Sequence, residues 1–258
     1  MSAWQKLLDI MRRLRAEDGC PWDREQTVET LRAHLIEEAY EVFEAIQTGD
    51  WALLKEELGD LLFQILFLAQ IASEEGEFDV EEVAAGIADK LVRRHPHVFA
   101  ETQVKSAAQA IQQWEALKAA ERRGRGDGAG VLSGVPRSLP ALLKAYRLTD
   151  KASQFGVDWR SAREVLHKLE EEMAEFERAR LSGDAVALEE EIGDVLFTLA
   201  NVGRHLSIDP EAALQRANQK FIQRFEHMEA RLRERGRSWN SLNAQDLDQL
   251  WEGAKRRN

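Results

Sequence analysis

Residues 57–63 read ELGDLLF, and residues 191–197 read EIGDVLF. Each stretch follows a second acidic motif at the same distance, EEAYE at residues 37–41 and EEMAE at residues 171–175. Every acidic position of the first copy recurs 134 residues later in the second. A repeat that keeps its register in this way predicts two homologous domains. The repeated acids are Glu37, Glu38, Glu41, Glu57 and Asp60 in the first copy and Glu171, Glu172, Glu175, Glu191 and Asp194 in the second.

The repeated acids are spaced for one face of a helix. Residues three apart share a helix face, so Glu-Glu-x-x-Glu and Glu-x-x-Asp each aim two carboxylates in one direction. Two such helices packed together would confine like charges that repel one another and lose hydration. A hard divalent cation relieves this, and oxygen ligands without Cys or His suit Mg²⁺ or Mn²⁺ better than zinc. Because Mg²⁺ commonly binds substrate phosphates as well, the cluster predicts a phosphate-bearing substrate.

Other interpretations of these acids are open from the sequence. A Glu-rich helix face usually serves solubility, but apolar neighbours predict that Asp60 and Asp194 lie near a core. A di-iron protein would need Glu-x-x-His on each of two helices, and only Glu164 with His167 provides one near the site. A sensor or scaffold that binds metal and nucleotide without turnover would carry the same residues as an enzyme.

Composition limits the class of protein. A length of 258 residues accommodates two domains, each with its own core. The net charge of -11, with basic residues interspersed among acids, argues against direct nucleic-acid binding. A single Cys20 excludes an intramolecular disulfide and fits a reducing compartment. We expect a cytoplasmic protein without a membrane segment, because the start lacks a signal peptide's apolar core and the apolar stretch 58–72 is interrupted by polar residues.

The apolar pattern is helical along nearly the whole chain. Apolar residues recur at intervals of three and four, and no convincing alternating strand occurs. The sequence therefore predicts an all-α fold with helices near residues 3–17, 27–47, 50–74, 79–94, 106–121, 139–153, 161–181, 184–204, 209–235 and 243–256. Gly-rich residues 121–130 predict a mobile linker. We accordingly predict an N-terminal domain at 1–123, a flexible linker at 124–138 and a C-terminal domain at 139–258.

Basic and aromatic residues are also repeated. A Lys and an Arg four residues apart follow each acidic cluster, and a Trp and a Lys four apart lie near each domain end. Residues four apart share a helix face, so the pairs predict phosphate ligands. The tryptophans could equally pack the end of a helical bundle. The residues are Lys90, Arg94, Trp114 and Lys118 in the first copy and Lys220, Arg224, Trp251 and Lys255 in the second.

Several short stretches of the sequence are distinctive: CPWDREQT, EEAYE, EELGD, RRHPHVF, GVPRSLPALLKAYR, GVDW, EEEMAE, EEIGD and ANQKFIQRF. Through them the chain resembles the MazG-type nucleoside triphosphate pyrophosphohydrolases over nearly its full length. The resemblance implies two tandem four-helix-type domains, usually in a dimer, that use Mg²⁺ to split a nucleoside triphosphate into monophosphate and pyrophosphate in nucleotide-pool control. It also implies the metal ligands Glu172, Glu175, Glu191 and Asp194, with counterparts Glu38, Glu41, Glu57 and Asp60.

The remaining candidates can be assigned by the needs of the chemistry. Cleavage between the α and β phosphates needs a directed water and cations that absorb charge on the departing pyrophosphate. We predict Glu171 for the water and Lys220, Arg224 and Lys255 for the phosphates. Lys168, Asn218, Trp159 and Trp251 are further substrate-binding candidates. For the base and sugar the sequence offers Phe155, Val157, Asp158 and Trp159, or Cys20, Pro21, Trp22 and Asp23 in the first copy, all of which could instead cap and staple the following helix.

The two copies differ at one candidate ligand. Asn218 precedes Lys220 by two residues, whereas Ala88 stands at the corresponding place before Lys90. Alanine removes an amide that could bind metal or substrate. The sequence therefore predicts that the second domain carries the principal activity.

Overall fold

A computed structural model of the chain describes residues 1–100, 103–125 and 130–256. Within these ranges no residue lies in a strand, so the all-α class predicted from the sequence is confirmed. The helices are α1 Ala3–Arg15, α2 Pro21–Glu25, α3 Val28–Thr48, α4 Trp51–Glu74, α5 Val80–Arg94, α6 Pro96–Phe99, α7 Ala107–Arg125, α8 Ala141–Ser153, α9 Ala162–Ser182, α10 Ala185–His205, α11 Pro210–Glu234 and α12 Ala244–Lys255.

All ten helices predicted from the sequence are present. The short helices α2 and α6 were not predicted, because each is a single turn begun by a proline inside an expected break. Helix α7 continues to Arg125, so Gly124 and Arg125, which were expected in the linker, are helical. Residues 126–129 of that linker lie outside the described residues, and a 3₁₀ turn follows at Val131–Gly134.

The chain divides into two compact units, residues 1–125 and 126–258. Each unit is built around one helical hairpin, α3 with α4 in the first and α9 with α10 in the second. A Gly-Asp turn forms both hairpins. Gly49 and Gly183 end their helices with φ of 70° and 75°, a left-handed conformation that glycine adopts without strain. Asp50 and Asp184 then cap the next helix by accepting two backbone N–H bonds each.

The first unit has a closely packed apolar core. Helix α1 packs on α4 through Leu8 and Met11, which meet Leu31 and Phe67 in one buried cluster. Phe67 and Leu31 are fully buried. Arg15 joins the end of α1 to the end of α4, because its guanidinium donates to the Glu74 carboxylate and to the backbone oxygens of Asp23 and Gln26.

The second unit repeats this arrangement with a smaller core. Helix α8 packs on α10, as α1 packs on α4, and α11 contacts both of them. Val165 and Ala200 are fully buried between the helices. Asp209 caps α11, whose first residue is Pro210, as the sequence predicted. Among the described residues, no helix is long and apolar enough to span a bilayer.

Candidate active site

The hairpins bring carboxylates together in both units. In the second unit Glu172 and Glu175 of α9 meet Glu191 of α10, with one oxygen of each within 4.8 Å of the others. In the first unit Glu38, Glu41 and Glu57 form the same group within the same distance. Because the Gly-Asp turns set the register of each hairpin, the acids face one another across it. The predicted clustering of glutamates is therefore present in both copies.

The two aspartates of the predicted ligand sets are placed differently. Asp194 and Asp60 are exposed, and neither belongs to the group within 4.8 Å. The expectation that both lie near a core is wrong for the single chain, because their apolar neighbours Ile192 and Leu58 are themselves about half exposed. Asp194 still lies near enough to contribute to the raised pKa of Glu191.

The second cluster is partly neutralised by basic neighbours. The Lys168 ammonium lies 3.0 Å from the Glu171 carboxylate and 2.9 Å from that of Glu172, and these hydrogen bonds raise the pKa of Lys168. Glu172 is nearly buried, at 7% exposure. Lys168, a predicted substrate ligand, is thus occupied by the cluster itself. Glu171 is exposed beside it.

One member of the second cluster has no such partner. The Oε2 atom of Glu191 is buried without a hydrogen bond in the described part of the chain. Burial, followed by the charges of Glu175 and Glu172, raises the pKa of Glu191. A buried carboxylate oxygen that faces like charges is a position where a cation would bind favourably.

The first cluster lacks the lysine. His34, 3.6 Å from Glu37, stands where Lys168 stands in the second unit. Glu38 receives only a 3.4 Å hydrogen bond from Gln64, and burial together with Glu41 raises the pKa of Glu38. The pKa of Glu57 is likewise raised, by burial and by Glu41. Proton uptake therefore competes with metal binding at Glu38 and Glu57, as it does at Glu191 of the second cluster.

The basic and aromatic candidates form a second repeated group. The Arg224 guanidinium lies 5.7 Å from the ring of Trp251, and that of Arg94 lies 5.4 Å from the ring of Trp114. Both arrangements are cation–π contacts. Phe221 packs against Trp251 with ring centroids 5.5 Å apart, so this tryptophan also packs the α11–α12 pair. The hydrogen bonds and ion pairs of the described residues do not join this group to the carboxylate cluster.

The two arginines differ in what they bind. Arg94 donates to Glu121 of α7 at 2.6 and 3.0 Å, and the bond to Arg94 lowers the pKa of Glu121. Arg224 has a buried Nε–H without an acceptor among the described residues. Lys255 and Lys118 are paired to Glu252 and Glu115, at 2.7 and 3.3 Å. In the first copy the arginine therefore donates to a carboxylate of the same unit, whereas in the second copy the arginine Nε–H is left without an acceptor among the described residues.

The two remaining substrate-binding candidates of this group, Lys220 and Asn218, are exposed on α11. Lys220 has no ion pair within the described ranges. Its counterpart Lys90 is half-buried on α5. These residues are available to a ligand but are not held in place by neighbours.

A cleft of about 500 Å³ opens in the second unit, at the end of α8 and beside α10. The predicted base-binding residues Val157, Asp158 and Trp159 line it, whereas Phe155 is not among its lining residues. Asp158 is already engaged. Arg204 at the end of α10 donates to its carboxylate, and Nε2 of the neighbouring His205 lies 3.0 Å from the same carboxylate. This ion cluster anchors the loop that carries Trp159 to α10.

The corresponding residues of the first copy serve its local fold. Cys20 and Pro21 begin the short helix α2, and Asp23 is buried within it. Trp22 is half exposed and meets the ring of His34 edge-on at 6.1 Å. The Trp22 contact with His34 ties this segment to α3, whereas Cys20 makes no side-chain cap and α3 is capped by Thr27.

Sequence reasoning missed several residues of the cleft. Thr149 and Ala152 of α8, and Asn201 and Arg204 of α10, belong to no motif recognised in the sequence, and Phe197 ends the EIGDVLF motif without having been assigned to the site. One signal was available for Asn201, because it follows Asp194 by seven residues and so lies on the same helix face. A second was the contrast with Phe67 at the equivalent place in the first copy.

The di-iron interpretation has no support in the described residues. His167 pairs with Glu170 at 3.2 Å on the surface and belongs to neither carboxylate group. Glu164 accepts from the backbone N–H of Arg160 at the start of α9. Both groups are made of glutamate alone, an oxygen-only set that fits a hard cation.

Comparison with known proteins gives one consistent result. The family model of the MazG nucleotide pyrophosphohydrolase domain matches residues 26–99 and 160–229. The nucleoside triphosphate pyrophosphohydrolase of Escherichia coli (strain K12) is 42% identical, with 99% of this chain and 98% of that protein aligned. The nucleoside triphosphate pyrophosphohydrolase/pyrophosphatase MazG of Thermotoga maritima is 43% identical, with 98% and 95% aligned. A crystal structure of a mazG-related protein from Thermotoga maritima, 33% identical, aligns with 45% of this chain and 98% of its own at a TM-score of 0.39.

The Asp158 cluster predicts acid sensitivity of the second unit. Burial alone would raise the pKa of Asp158, but the bonds from Arg204 and His205 lower it. A carboxylate with a lowered folded pKa stabilises the fold above its unfolded value of about 3.9, and that contribution is lost as the pH falls through the folded pKa. We expect Asp158→Asn to cost about 1–3 kcal/mol in denaturant unfolding at pH 7, and the difference to shrink below about pH 4. Asp248→Asn, an exposed control, should have no effect; equal stability of both variants at pH 7 would contradict the anchoring role.

Proposed function

Because the chain belongs to the MazG nucleotide pyrophosphohydrolase family, we propose that it hydrolyses nucleoside triphosphates to monophosphate and pyrophosphate at the second unit's carboxylate cluster. The enzyme class predicted from the sequence is confirmed by the double domain match and by relatives of that name aligned end to end. The observation that favours the second unit is that Arg224 has a buried Nε–H without an acceptor in the described part of the chain, whereas its counterpart Arg94 is bound to Glu121.

Mg²⁺, or Mn²⁺ in its place, is the cofactor that fits these residues. Glu172, Glu175 and Glu191 would hold it, with Asp194 joining by a rotation of its exposed side chain. The fit rests on the oxygen-only donor set and on the unpartnered buried oxygen of Glu191. When bound, the ion would polarise the phosphate oxygens and reduce the charge that attack on the α-phosphorus must overcome.

The side chains supply the rest of the chemistry. Glu171 is exposed beside the cluster and hydrogen-bonded to Lys168, so its carboxylate can orient the attacking water and take up its proton. Arg224 offers a buried N–H without an acceptor, which suits a phosphate oxygen. Lys220 and Lys255 add positive charge as pyrophosphate departs, and Lys255 would exchange Glu252 for the phosphate.

Lys168 has a supporting role in this scheme. It is held between Glu171 and Glu172 and brings a positive charge to both carboxylates. Glu172 can then bind metal beside a compensating charge, and Glu171 can accept a proton from the water. The first unit has no lysine at this place, and this difference adds to the absence of an asparagine at Ala88.

Replacing Glu191, whose carboxylate has an oxygen without a hydrogen-bond partner among the described residues, tests whether the cluster binds a metal ion. We expect Glu191→Gln to raise the melting temperature in chelator, because a buried charge that faces like charges is removed. Wild-type protein should gain stability with Mg²⁺ and lose turnover in chelator, whereas the variant should gain little and stay inactive. Glu189→Gln, an exposed control on α10, should behave as wild type in thermal unfolding and pyrophosphate release. Full wild-type activity in excess chelator would overturn the metal proposal.

Paired variants test which unit is catalytic. Glu172→Gln with Glu175→Gln should remove most pyrophosphate release, because two ligand charges are lost at constant side-chain volume. Glu38→Gln with Glu41→Gln should retain turnover within about tenfold, roughly 1.4 kcal/mol of barrier. Equal losses would refute the asymmetry, and binding of nucleotide and metal by wild type without any pyrophosphate release would indicate a sensor.

A homodimer is the assembly we propose. Helix α5 has no buried residue, although Val83, Ile87 and Leu91 recur every four residues and are each 40–47% exposed. An apolar stripe of this kind on a 15-residue helix is typical of an interface. A second copy of the chain would cover it.

Solution mass tests this assembly. Sedimentation equilibrium should give about twice the chain mass of 29.4 kDa. Ile87→Asp should shift the protein toward monomer, because a charge in an apolar contact loses hydration. Ala85→Asp, at an exposed position on the opposite face of the same helix, should leave the mass unchanged. A monomeric wild type would refute the proposal.

A further inference from the structure

In the first unit one glutamate is held between two neighbouring arginines. Arg94 of α5 donates to one oxygen of the Glu121 carboxylate, through Nε at 3.0 Å and through a terminal nitrogen at 2.6 Å. The other oxygen of that carboxylate lies 3.4 Å from Nε of Arg93. Guanidinium groups bind carboxylate and phosphate oxygens in the same manner. Glu121 of α7 therefore lies where a phosphate group from outside the protein would bind.

The basic side chains around Glu121 outnumber the carboxylates that neutralise them. Lys90 shares a face of α5 with Arg94, because the two residues are four apart, and it has no ion pair within the described ranges. Lys118 of α7 pairs with Glu115, three residues before it, at 3.3 Å. In a chain with a net charge of -11, this local excess of positive charge favours an anionic ligand.

The rings next to Arg94 include a polar atom that Glu121 does not satisfy. The Arg94 guanidinium lies 5.4 Å from the centre of the Trp114 ring, and the His95 ring lies 4.6 Å from that centre. His97 packs against His95 at 5.6 Å, and its Nδ1 atom is buried without a hydrogen-bond partner among the described residues. A buried polar atom of this kind calls for an explanation. A phosphate chain has more oxygens than a carboxylate and can offer an acceptor to a ring protonated at Nδ1.

The second unit contains the corresponding arginine and tryptophan without such a carboxylate. Arg224 lies 5.7 Å from the Trp251 ring, much as Arg94 lies beside Trp114, so the contact is repeated along with the sequence spacing. The Nε–H of Arg224 is buried without an acceptor in the described part of the chain. The homologous arginine thus shows what Arg94 would offer to a ligand in the absence of Glu121.

The attachment of α7 to α5 is of a kind that can open. The two helices are in contact, yet no residue of α5 is buried, so little apolar burial holds them together. The Arg94 and Glu121 side chains are 13% and 20% exposed, so their ion pair is shielded from most of the solvent. A carboxylate on the same chain competes at an effective concentration on the order of millimolar. A more dilute anion is therefore excluded while α7 is docked.

We propose that Glu121 is an internal competitor that closes a polyphosphate site in the first unit, and that the site opens when α7 leaves α5. The ligand class is a di- or triphosphate group, free or as part of a nucleotide, bound by Arg94, Arg93 and Lys90. This proposal goes beyond the function proposed above, which concerns the second unit. It makes the first unit a conditional polyphosphate site that the position of α7 controls.

Removal of the competitor tests the proposal. In calorimetric titrations of the full chain with inorganic pyrophosphate and Mg²⁺, Glu121→Gln should add one binding event per chain. Its dissociation constant should be lower by about tenfold or more than that of any corresponding event in wild type, because the competing charge is gone at constant side-chain volume. Arg94→Gln combined with Glu121→Gln should abolish the added event, because the guanidinium that holds the phosphate is lost.

A matched variant and a stability measurement exclude a purely structural role of the ion pair. Glu77→Gln, the same change at an exposed residue of the first unit, should titrate as wild type. Pyrophosphate should raise the melting temperature of Glu121→Gln more than that of wild type, because the ligand restores a partner to Arg94. Glu121→Ala, which also favours a helix, repeats both measurements with a second variant. An unchanged titration in both Glu121 variants, or an added event that persists without Arg94, overturns the proposal.

Two further ligands identify what the opened site binds. Tripolyphosphate and a non-hydrolysable nucleoside triphosphate should both bind more tightly to Glu121→Gln than to wild type, because the residues of the site recognise phosphate oxygens. A gain limited to the nucleotide would overturn the assignment to the phosphate chain. A wild type that releases no pyrophosphate from nucleoside triphosphates would refute the proposed function and not this proposal, because the added binding event is assigned by its loss with Arg94.

Discussion

Mutual repulsion of three carboxylates held within 4.8 Å is the constraint on which the rest of the molecule depends. Helices that carried such charges would separate if nothing fixed them, and in both units a Gly-Asp turn fixes them. The left-handed glycine reverses the chain without strain, and the aspartate caps the following helix, so the two acidic faces have no freedom to slide apart. The remaining helices supply the apolar contacts that hold this hairpin closed.

The duplicated units satisfy their charges in different ways. The second unit compensates Glu172 with Lys168 but leaves Glu191 and Arg224 with unpartnered atoms, one an acceptor and the other a donor. In the first unit Arg94 is bound to Glu121 instead, whereas carboxylates with raised pKa values occur in both clusters. A site is poised for a ligand when its charges are incompletely paired, and the second unit combines an open donor on Arg224 with an unpartnered oxygen on Glu191.

The sequence predicted the helices and the acidic clusters because both follow from local periodicity. Spacings of three and four determine which side chains share a face, and glycine with aspartate marks a turn wherever it occurs. Asp194 was misjudged because apolar neighbours in sequence say nothing of what covers a helix face. The Glu121–Arg94 pair and the cleft were not foreseen because each depends on how two separate helices meet. Asn201 could be recognised from its position seven residues after Asp194, or by reference to Phe67, its counterpart in the other copy.

The contrast between a packed first unit and a hollow second unit has an evolutionary consequence. Duplication left one copy free to keep its large core residues and act as a stable partner during folding. The other copy could replace core residues of its central helices, as Asn201 stands where the first copy has Phe67, with the loss of cohesion confined to one half of the molecule. Lineages of such tandem proteins could therefore alter the second unit while the ancestral helical frame stayed intact.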